Sequence, residues 1–576
     1  MASGDEKVQK LVGEYLERKV DRRGFLKRAG ALGLSLSAAG ALLAACGGGE
    51  EEAAPPAEAP PAEPAPAGTA PPAETSAAEP AAPPAQATGG TLRIRLQNDI
   101  INLDPPFIPA AADEIVDFGI IEGLIAYMPG SWDVVNQLAE TFEPSADGLQ
   151  FAFKLKEGIQ FHGGYGELTA EDVKFSYERT AGLGKPPIDS PYKGDFSPAL
   201  QEVRVDDTYS GVIILKERFA PIMASTLPVF SGWVVSKKAV EERGKDFATS
   251  PIGTGPYEFV EWKPKQQATT KRFADYGGAS NDFLGTAWDE MVFVPVDEDE
   301  AASIALETGE LDFGELPLSA VSRFEDNSDF TVDNRTSLDF NWIGMNIKSP
   351  NLTDINVRKA VRSAIDVPSI LEAAFESRWE RASAILPPGM PIGYWADAPL
   401  YDRDVDAANQ LLSQASNVPS SLEYRYTEET GARTTGEIVQ ANLADIGIDV
   451  TLKKLDSSAY YALDPKEMRS RDLFFVGFIT NPDPSWSTVW FVCDQIDVWN
   501  WMYWCEPKYD ELHYAAIKES DPAKRNDMYI EMQKLWDEAA HTQWLSWPTR
   551  WFASKTGIQP ALRPDGRVLP TGFTAV

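Results

Sequence analysis

A cluster of hydrogen-bonding side chains follows an apolar run in the last third of the chain. Residues 473–479 are nearly all apolar, as expected for a strand buried on both faces, and the Asn-Pro-Asp-Pro segment at 481–484 ends it. Thr480, Asn481 and Asp483 there offer hydrogen-bond donors and acceptors. Their chemistry is non-covalent recognition of a polar solute at the end of a strand, where ligands of α/β proteins bind.

Aromatic side chains lie on both sides of this turn. Phe478 precedes it and Trp486 follows it, and we predict that both contact the solute. Flat aromatic faces stack on sugar rings and hold quaternary ammonium groups, but they also fill protein cores. Both roles stay open for the tryptophans that come next, which are Trp490, Trp499, Trp501 and Trp504.

The chain offers little for catalysis or metal binding. Its three histidines, His162, His513 and His541, are scattered singly, without the paired spacing of metal ligands. The sequence contains no Gly-x-Ser-x-Gly elbow, no Cys-x-x-Cys pair and no phosphate-binding GxxxxGK[ST] loop. We predict a protein that is not an enzyme and holds no metal or cofactor, with His162 at a surface turn. A secreted hydrolase stays a remote alternative, because the carboxylates are too numerous for a catalytic pair to be picked out.

Residues 1–45 have the parts of an export signal. A charged head with Arg22 and Arg23 precedes an apolar stretch of about 15 residues, which is too short to span a membrane. The paired arginines resemble the twin-arginine export signal, and residues 43–46 resemble the lipobox of bacterial lipoproteins. This resemblance implies that the signal is cleaved before Cys46 and that lipid on the Cys46 thiol anchors the protein outside the cytoplasmic membrane.

Two further cysteines, Cys493 and Cys505, remain as a pair if Cys46 carries lipid. An exported protein meets an oxidising compartment, which permits a disulfide between them. Two free buried thiols are the alternative. Closing this loop adds about 3 kcal/mol of stability in the chain-entropy model.

The composition is that of an ordinary globular protein apart from one segment. Of the 576 residues, 43% are hydrophobic and 24% are charged. The net charge of −35 repels a phosphate backbone and argues against nucleic-acid binding. After Cys46, the segment up to residue 90 is dominated by proline, alanine and glutamate, which cannot offset the entropy of ordering it. We therefore predict a disordered linker at residues 46–90 and a folded body from Thr91.

Hydrophobic periodicity predicts the elements that carry these residues. Leu92, Ile94 and Leu96 alternate with polar neighbours and predict a half-buried strand, as does the alternation at residues 149–155. Thr169 supplies an N-cap for a helix.

Further helices are predicted at residues 115–124 and 356–365, the second with Arg358 and Arg362 outside its apolar stripe. From Val405 onward, helix and strand patterns alternate, which favours a mainly parallel sheet covered by helices.

The segment 151–179, FAFKLKEGIQFHGGYGELTAEDVKFSYER, resembles the signature of the family 5 extracellular solute-binding proteins. These proteins serve ABC importers of dipeptides, oligopeptides, nickel complexes and some sugars. Other landmarks follow in the order of that family, at residues 102–105 (NLDP), 122–124 (EGL), 251–257 (PIGTGPY), 309–312 (GELD) and 356–366 (NVRKAVRSAID). The likeness covers about Thr91 to the C-terminus.

The resemblance implies an α/β architecture of the type II periplasmic-binding-protein fold, with two hinged lobes and an inserted subdomain (cluster C type). Lobe I is expected at residues 91–128, 221–336 and 548–576, the subdomain at 129–220 and lobe II at 337–547. It also implies a monomer that closes on a solute and docks on the permease and ATPase subunits of an ABC importer.

The resemblance adds four candidates for the ligand cleft, Asn98, Asp99, Tyr394 and Trp395. In peptide-binding relatives, the segment after the buried strand carries a tryptophan and an aspartate that neutralises the amino terminus of the peptide. In this sequence, those positions fall on Gly477 and Thr480. A hydroxyl cannot pair an ammonium as a carboxylate does.

Three functions therefore stay open. The first is capture of a peptide-like solute. The second is capture of an oligosaccharide or of another neutral or cationic polar solute by the same class of importer. The third is an extracellular enzyme or a lipoprotein with no transport role. Nickel is disfavoured, because the chain has only three histidines.

Overall fold

The computed structural model describes residues 89–196, 199–276, 287–461 and 469–576. The predicted export signal, the Cys46 lipid site and nearly all of the predicted linker lie outside the described residues. Within the described ranges, no helix has the length and apolar character needed to cross a membrane.

Strands occur along the whole of the described chain. In order they are β1 (Thr91–Leu96), β2 (Glu122–Gly123), β3 (Ile125–Tyr127), β4 (Val134–Asn136), β5 (Ala139–Pro144), β6 (Gln150–Leu155), β7 (Gln160–Phe161), β8 (Gly166–Glu167), β9 (Leu200–Val205), β10 (Ser210–Leu215), β11 (Trp233–Val234), β12 (Tyr257–Lys263), β13 (Gln267–Arg272), β14 (Glu290–Pro295), β15 (Phe313–Leu316), β16 (Phe330–Thr336), β17 (Phe340–Met345), β18 (Glu380–Arg381), β19 (Ser421–Tyr426), β20 (Asp449–Lys454), β21 (Leu473–Phe478), β22 (Thr542–Trp547), β23 (Thr549–Lys555), β24 (Ile558–Gln559) and β25 (Thr574–Ala575).

Helices connect most of these strands. The α-helices are α1 (Ala111–Asp117), α2 (Ala170–Thr180), α3 (Lys237–Arg243), α4 (Asp299–Thr308), α5 (Leu318–Glu325), α6 (Ile355–Ala364), α7 (Val367–Phe375), α8 (Val405–Ser413), α9 (Ala432–Ala444), α10 (Ser457–Tyr460), α11 (Pro484–Thr488), α12 (Pro507–Ala516) and α13 (Pro522–Glu538). Short 3₁₀ turns lie at Pro105–Phe107, His162–Gly164, Lys193–Asp195, Phe230–Gly232, Gly244–Thr249, Val489–Phe491, Cys493–Gln495 and Pro570–Gly572, and a π turn lies at Ile222–Thr226.

Three sheets hold most of the strands. The seven-stranded sheet has the order β12-β13-β14-β1-β15-β23-β16, the six-stranded sheet β18-β22-β17-β21-β19-β20 and the four-stranded sheet β5-β6-β10-β9. The chain connects the seven- and six-stranded sheets through residues 337–339, between β16 and β17, and through Pro548, between β22 and β23. The Ser337 amide donates to the Pro548 carbonyl at 2.8 Å, so the two connections lie side by side.

The elements predicted from periodicity are confirmed at β1, β6 and α2. β1 buries Leu92 and Ile94 completely and pairs in parallel with β14 and β15. β6 alternates exposed and buried side chains along its length. Thr169 caps α2 through a reciprocal capping box with Asp172.

The prediction of a mainly parallel sheet is wrong for the second half of the chain. In the six-stranded sheet β19 pairs in parallel with β20 and β21, but β17 is antiparallel to both β21 and β22, and β18 is antiparallel to β22. The sheet is mixed because β17 begins at one connection to the seven-stranded sheet and β22 ends at the other. These two neighbouring strands therefore run in opposite directions.

One helix prediction also needs correction. Helix α1 ends at Asp117 rather than continuing to residue 124, because Glu122 and Gly123 pair with β11 as a strand. The arginines of α6 lie off the apolar stripe but are buried: Arg358 donates to the Ala539 carbonyl, and Arg362 pairs with Asp537 at 2.8 Å.

His162 is buried, not at the surface, with only 1% of its area exposed. One ring nitrogen, Nε2, lies 2.8 Å from the Gly255 carbonyl oxygen, and Nδ1 has no partner in the described residues. Burial lowers the pKa of His162 from 6.5 to about 4, although the bond to Gly255 opposes this. The fold therefore favours the neutral ring.

We expect His162 to make the protein sensitive to acid. Because the folded pKa lies below that of the unfolded chain, its stabilising contribution is complete above pH 6.5 and is lost as the pH falls towards 4. The loss is at most about 1.4 kcal/mol per pH unit. Urea unfolding of the wild type and of His162→Gln should give a difference in unfolding free energy that shrinks from pH 7 to pH 4.5. A difference independent of pH contradicts this assignment.

Candidate ligand-binding site

The main candidate site is a cavity of about 610 Å³ at one end of the six-stranded sheet. It lies beyond the carboxyl ends of β19 and β21, beside the start of β17, and it touches both connections to the seven-stranded sheet. A volume of this size suits a small-molecule ligand. Its lining residues are Asp339, Asn341, Trp379, Glu429, Thr430, Tyr461, Phe475, Gly477, Phe478, Ile479, Trp490, Trp499 and Pro548.

One wall of the cavity is a cluster of three aromatic rings. Phe478 lies with its ring centroid 5.8 Å from that of Trp490 and 5.9 Å from that of Trp499, in edge-to-face contacts. Trp490 and Trp499 are themselves 5.9 Å apart at 70°. Such edge-to-face arrangements are favourable for aromatic pairs, so each ring fixes the other two. The wall is therefore pre-formed.

A disulfide holds part of this wall in place. The structure joins Cys493 to Cys505, with Cα atoms 4.7 Å apart, so that Trp499 lies in the closed loop. The Asp510 carboxylate accepts a hydrogen bond from the Cys493 amide at 3.1 Å and ties this loop to α12. Trp501 and Trp504 of the same loop are buried in the core. The loop thus carries one tryptophan to the cavity and uses two for packing.

The floor of the cavity depends on the absence of a side chain at position 477. Gly477 on β21 lies directly opposite Asn341 on β17. A Cβ atom on Gly477 would overlap Asn341 Oδ1. The glycine therefore leaves room for the Asn341 carboxamide at the cavity surface, where it can exchange hydrogen bonds with a solute.

Two carboxylates provide the formal charge of the lining. Asp339 Oδ1 accepts a hydrogen bond from the Thr480 amide at 3.1 Å, and Glu429 Oε1 accepts one from the Tyr461 hydroxyl at 2.5 Å. Burial raises the pKa of both carboxyl groups; the Arg550 charge opposes this at Asp339, and the Tyr461 hydrogen bond opposes it at Glu429. Both groups are thus positioned and partly desolvated.

Of the predicted strand-end residues, only Phe478 lines the cavity. Thr480 is buried and shares a hydrogen bond of 2.6 Å with Ser487. Asp483 is buried too: it accepts from the Ser485 amide at 2.9 Å as the N-cap of α11 and pairs with Arg525. Asn481 is half-buried and outside the lining.

The other candidates also lie outside the cavity. Asp99 holds the turn between β12 and β13, accepting from the Trp262 indole at 3.0 Å and from the Lys265 amide at 2.6 Å. Its neighbour Asn98 is exposed. The remaining three, Tyr394, Trp395 and Trp486, are half-buried, with Tyr394 packed 6.1 Å from Trp547 and Trp486 packed 6.3 Å from Trp490.

Sequence reasoning missed most of the lining. The sequence leaves a ligand contact open for Trp490 and Trp499, but Asp339, Trp379 and Glu429 carry no local signal, since each lies in a loop far along the chain from residue 478. The described residues also include no group of three or more histidine, cysteine, aspartate or glutamate side chains that could hold a metal ion. What the geometry offers is non-covalent binding.

The chain is similar to known binding proteins over most of its length. Residues 133–497 match the model of a family described as "Bacterial extracellular solute-binding proteins, family 5 Middle". The glutathione-binding protein GsiB of Shigella flexneri is 24% identical over 458 residues, which cover 77% of this chain and 87% of that protein. A putative ABC transporter peptide-binding protein of Brucella ovis is 28% identical over 453 residues, covering 76% of this chain and 82% of the relative.

A solved structure shares the fold. The periplasmic binding protein DppA from Helicobacter pylori, in complex with the peptide STSA, superposes with a TM-score of 0.70 at 23% identity and covers 85% of this chain and 98% of its own. The predicted α/β, type II periplasmic-binding-protein fold is thereby confirmed.

Proposed function

The chain belongs to family 5 of the bacterial extracellular solute-binding proteins, and from this we propose that it captures a peptide-like or other small polar solute and delivers it to the permease of an ABC importer. As a member of this family it is a binding protein rather than an enzyme. Its relatives and structural neighbours include proteins named for glutathione and for peptides.

The observation that carries the proposal is the position of the cavity. Its lining includes Asp339 and Pro548, one residue from each connection between the two large sheets. A solute in the cavity therefore touches the segments about which the sheets can rotate. Because a ligand shifts a conformational equilibrium only through its different affinity for the two states, contact with both connections couples binding to closure.

The division into lobes is part of the same proposal. Lobe I would contain the seven-stranded sheet (residues 91–128, 221–336 and 548–576), lobe II the six-stranded sheet (337–547) and the subdomain the four-stranded sheet (129–220). The membership of the three sheets supports these limits.

Ion pairs at the surface join lobe II to the other two parts, beside apolar contacts that Leu318 and Trp132 make with lobe II. Arg378 pairs with Glu325 at 2.9 Å across the lobes, and Lys518 pairs with Glu217 at 2.6 Å between lobe II and the subdomain. Exposed pairs of this kind contribute little stability, about 0–1 kcal/mol. They can therefore separate at little cost when the lobes open.

Export and anchoring complete the proposal. The twin-arginine-like signal and the lipid on Cys46 would hold a monomer at the outer face of the cytoplasmic membrane, beside the permease and ATPase subunits. The Pro/Ala/Glu linker would let the folded body move above the membrane. These steps are supported by the sequence motifs and by membership of an extracellular family.

The test is the solute that the protein itself carries. Protein purified under native conditions is denatured, and the released small molecules are identified by mass spectrometry. We expect one solute class, whose re-addition raises the unfolding temperature in proportion to RT ln(1 + [L]/Kd). Release of a chemically converted product, or no stabilisation by any peptide, sugar or amine in a broad panel, would exclude the proposal.

Filling the space at Gly477 should weaken binding of that solute. In Gly477→Ala the new methyl group displaces the Asn341 carboxamide from the floor of the cavity, and we expect a loss of roughly tenfold in affinity. Calorimetric titration measures the effect. The matched control is Gly194→Ala, where a Cβ meets no atom within 4 Å. Equal affinity in the two variants means that the Asn341 carboxamide takes no part in binding.

A further inference from the structure

The carboxylates of the cavity have hydrogen-bonding capacity left for a solute. Asp339 uses Oδ1 for the Thr480 amide, and Glu429 uses Oε1 for the Tyr461 hydroxyl. A carboxylate accepts about four hydrogen bonds through its two oxygens. Each group is therefore oriented by the protein and still able to accept from a bound ligand.

The described residues that line the cavity include no lysine, arginine or histidine. The guanidinium groups of Arg550 and Arg567 lie close enough to stabilise the Asp339 carboxylate. Arg550 is engaged by Glu315, with bonds of 3.1 and 2.7 Å to the two carboxylate oxygens, and Arg567 pairs with Glu114 at 2.7 Å. The formal charges that face a solute from the described lining are therefore both negative.

The aromatic side chains of the lining also favour a positively charged solute. Six aromatic side chains, Trp379, Tyr461, Phe475, Phe478, Trp490 and Trp499, share the cavity with the two carboxylates. The faces of aromatic rings attract cations, and the attraction grows when water is excluded. Apolar walls also raise the strength of a charge pair relative to water.

We propose that the cavity selects an organic cation: a protonated or quaternary amine on an apolar or aromatic body, with the positive group at Asp339 and Glu429 and the body against the aromatic wall. This inference rests on the proposed function and narrows its solute class. In this arrangement Asp339 provides the carboxylate that pairs with the positive group, directly beside Thr480, whose own side chain offers only a hydroxyl. An anionic solute would meet two carboxylates without compensation.

The test uses two sets of probes that differ in charge, and the second set also keeps the shape of the molecule nearly constant. L-Phe-L-Phe amide carries one positive charge, its N-acetyl derivative none, and N-acetyl-L-Phe-L-Phe one negative charge. Choline and 3,3-dimethylbutan-1-ol form a second pair, in which carbon replaces the quaternary nitrogen. Binding to the full-length protein is measured by calorimetry and by the fluorescence of the cavity tryptophans. We expect each cation to bind at least tenfold more tightly than its neutral partner.

Variants locate the charge. Asp339→Asn should weaken binding of the cationic probes by roughly 10-fold to 100-fold, since a charged hydrogen bond is lost, and should leave the neutral probes unchanged. Glu429→Gln should also weaken binding of the cationic probes. Asp449→Asn is the control, because Asp449 is an exposed carboxylate at the opposite end of the same sheet. Circular dichroism confirms the fold of each variant, and Glu429→Gln carries the test if Asp339→Asn does not fold.

The outcomes separate this inference from the proposed function. Neutral or anionic probes that bind as tightly as the cations overturn the inference, as does a neutral or anionic solute released from the purified protein. In those cases solute capture still stands. Absence of binding and stabilisation with every class of solute overturns both.

Discussion

Replacing Arg525 by methionine is expected to lower the free energy of unfolding by about 3–5 kcal/mol, because it leaves a buried carboxylate without its countercharge. Arg525 Nη2 lies 3.1 and 2.9 Å from the two oxygens of Asp483, and the side chains are only 9% and 1% exposed. The pair joins α13 to the turn after β21, which supports the cavity wall. Urea unfolding at pH 7 measures the loss.

The double variant Arg525→Met with Asp483→Asn tests the cause. It removes both charges, so we expect it to recover much of the stability lost in the single variant. Arg525 also donates to the Ala516 carbonyl at 2.9 Å, and this bond is missing from both variants. If the single and double variants are equally unstable, the loss comes from that bond and from packing rather than from the unpaired charge. An exposed control, Arg433→Met, should change stability by less than about 1 kcal/mol.

Removing the disulfide is the second large effect that we expect. Replacing Cys493 and Cys505 by serine should lower the unfolding free energy by about 3 kcal/mol, since the unfolded chain regains the freedom of the closed loop. Binding should weaken as well, because the loop carries Trp499 to the cavity wall. Denaturant unfolding and calorimetric titration measure the two losses separately.

A reducing agent supplies the control for this prediction. Dithiothreitol should lower the stability and affinity of the wild type towards those of the double serine variant and should leave that variant unchanged. A wild type that responds to the reductant in stability but not in affinity would show that the disulfide stabilises the lobe without positioning Trp499.

Local pattern was sufficient for many elements of this fold. Alternating side chains identified β1 and β6, and Thr169 with Asp172 marked the start of α2, because burial on one face and capping depend on residues close together in sequence. The family motifs indicated the fold class. Pattern alone failed for the direction of β17 and β22 and for the burial of His162, which depend on partners brought from elsewhere.

What the sequence by itself determined is therefore the family, several of the strands and helices, and the turn at 480–484 as a structured strand end. Only the tertiary structure decided which side chains face the solute. Asp483 has a carboxylate that could accept hydrogen bonds from a solute. That carboxylate is instead paired with Arg525, which lies 42 residues later in the chain. Asp339, Glu429 and Trp499 meet in one cavity from three loops. Hydrophobic periodicity indicates whether a side chain is buried. A binding site depends in addition on which distant residues pack around that side chain and which polar groups they leave unpaired. Those contacts are fixed only when the chain has folded.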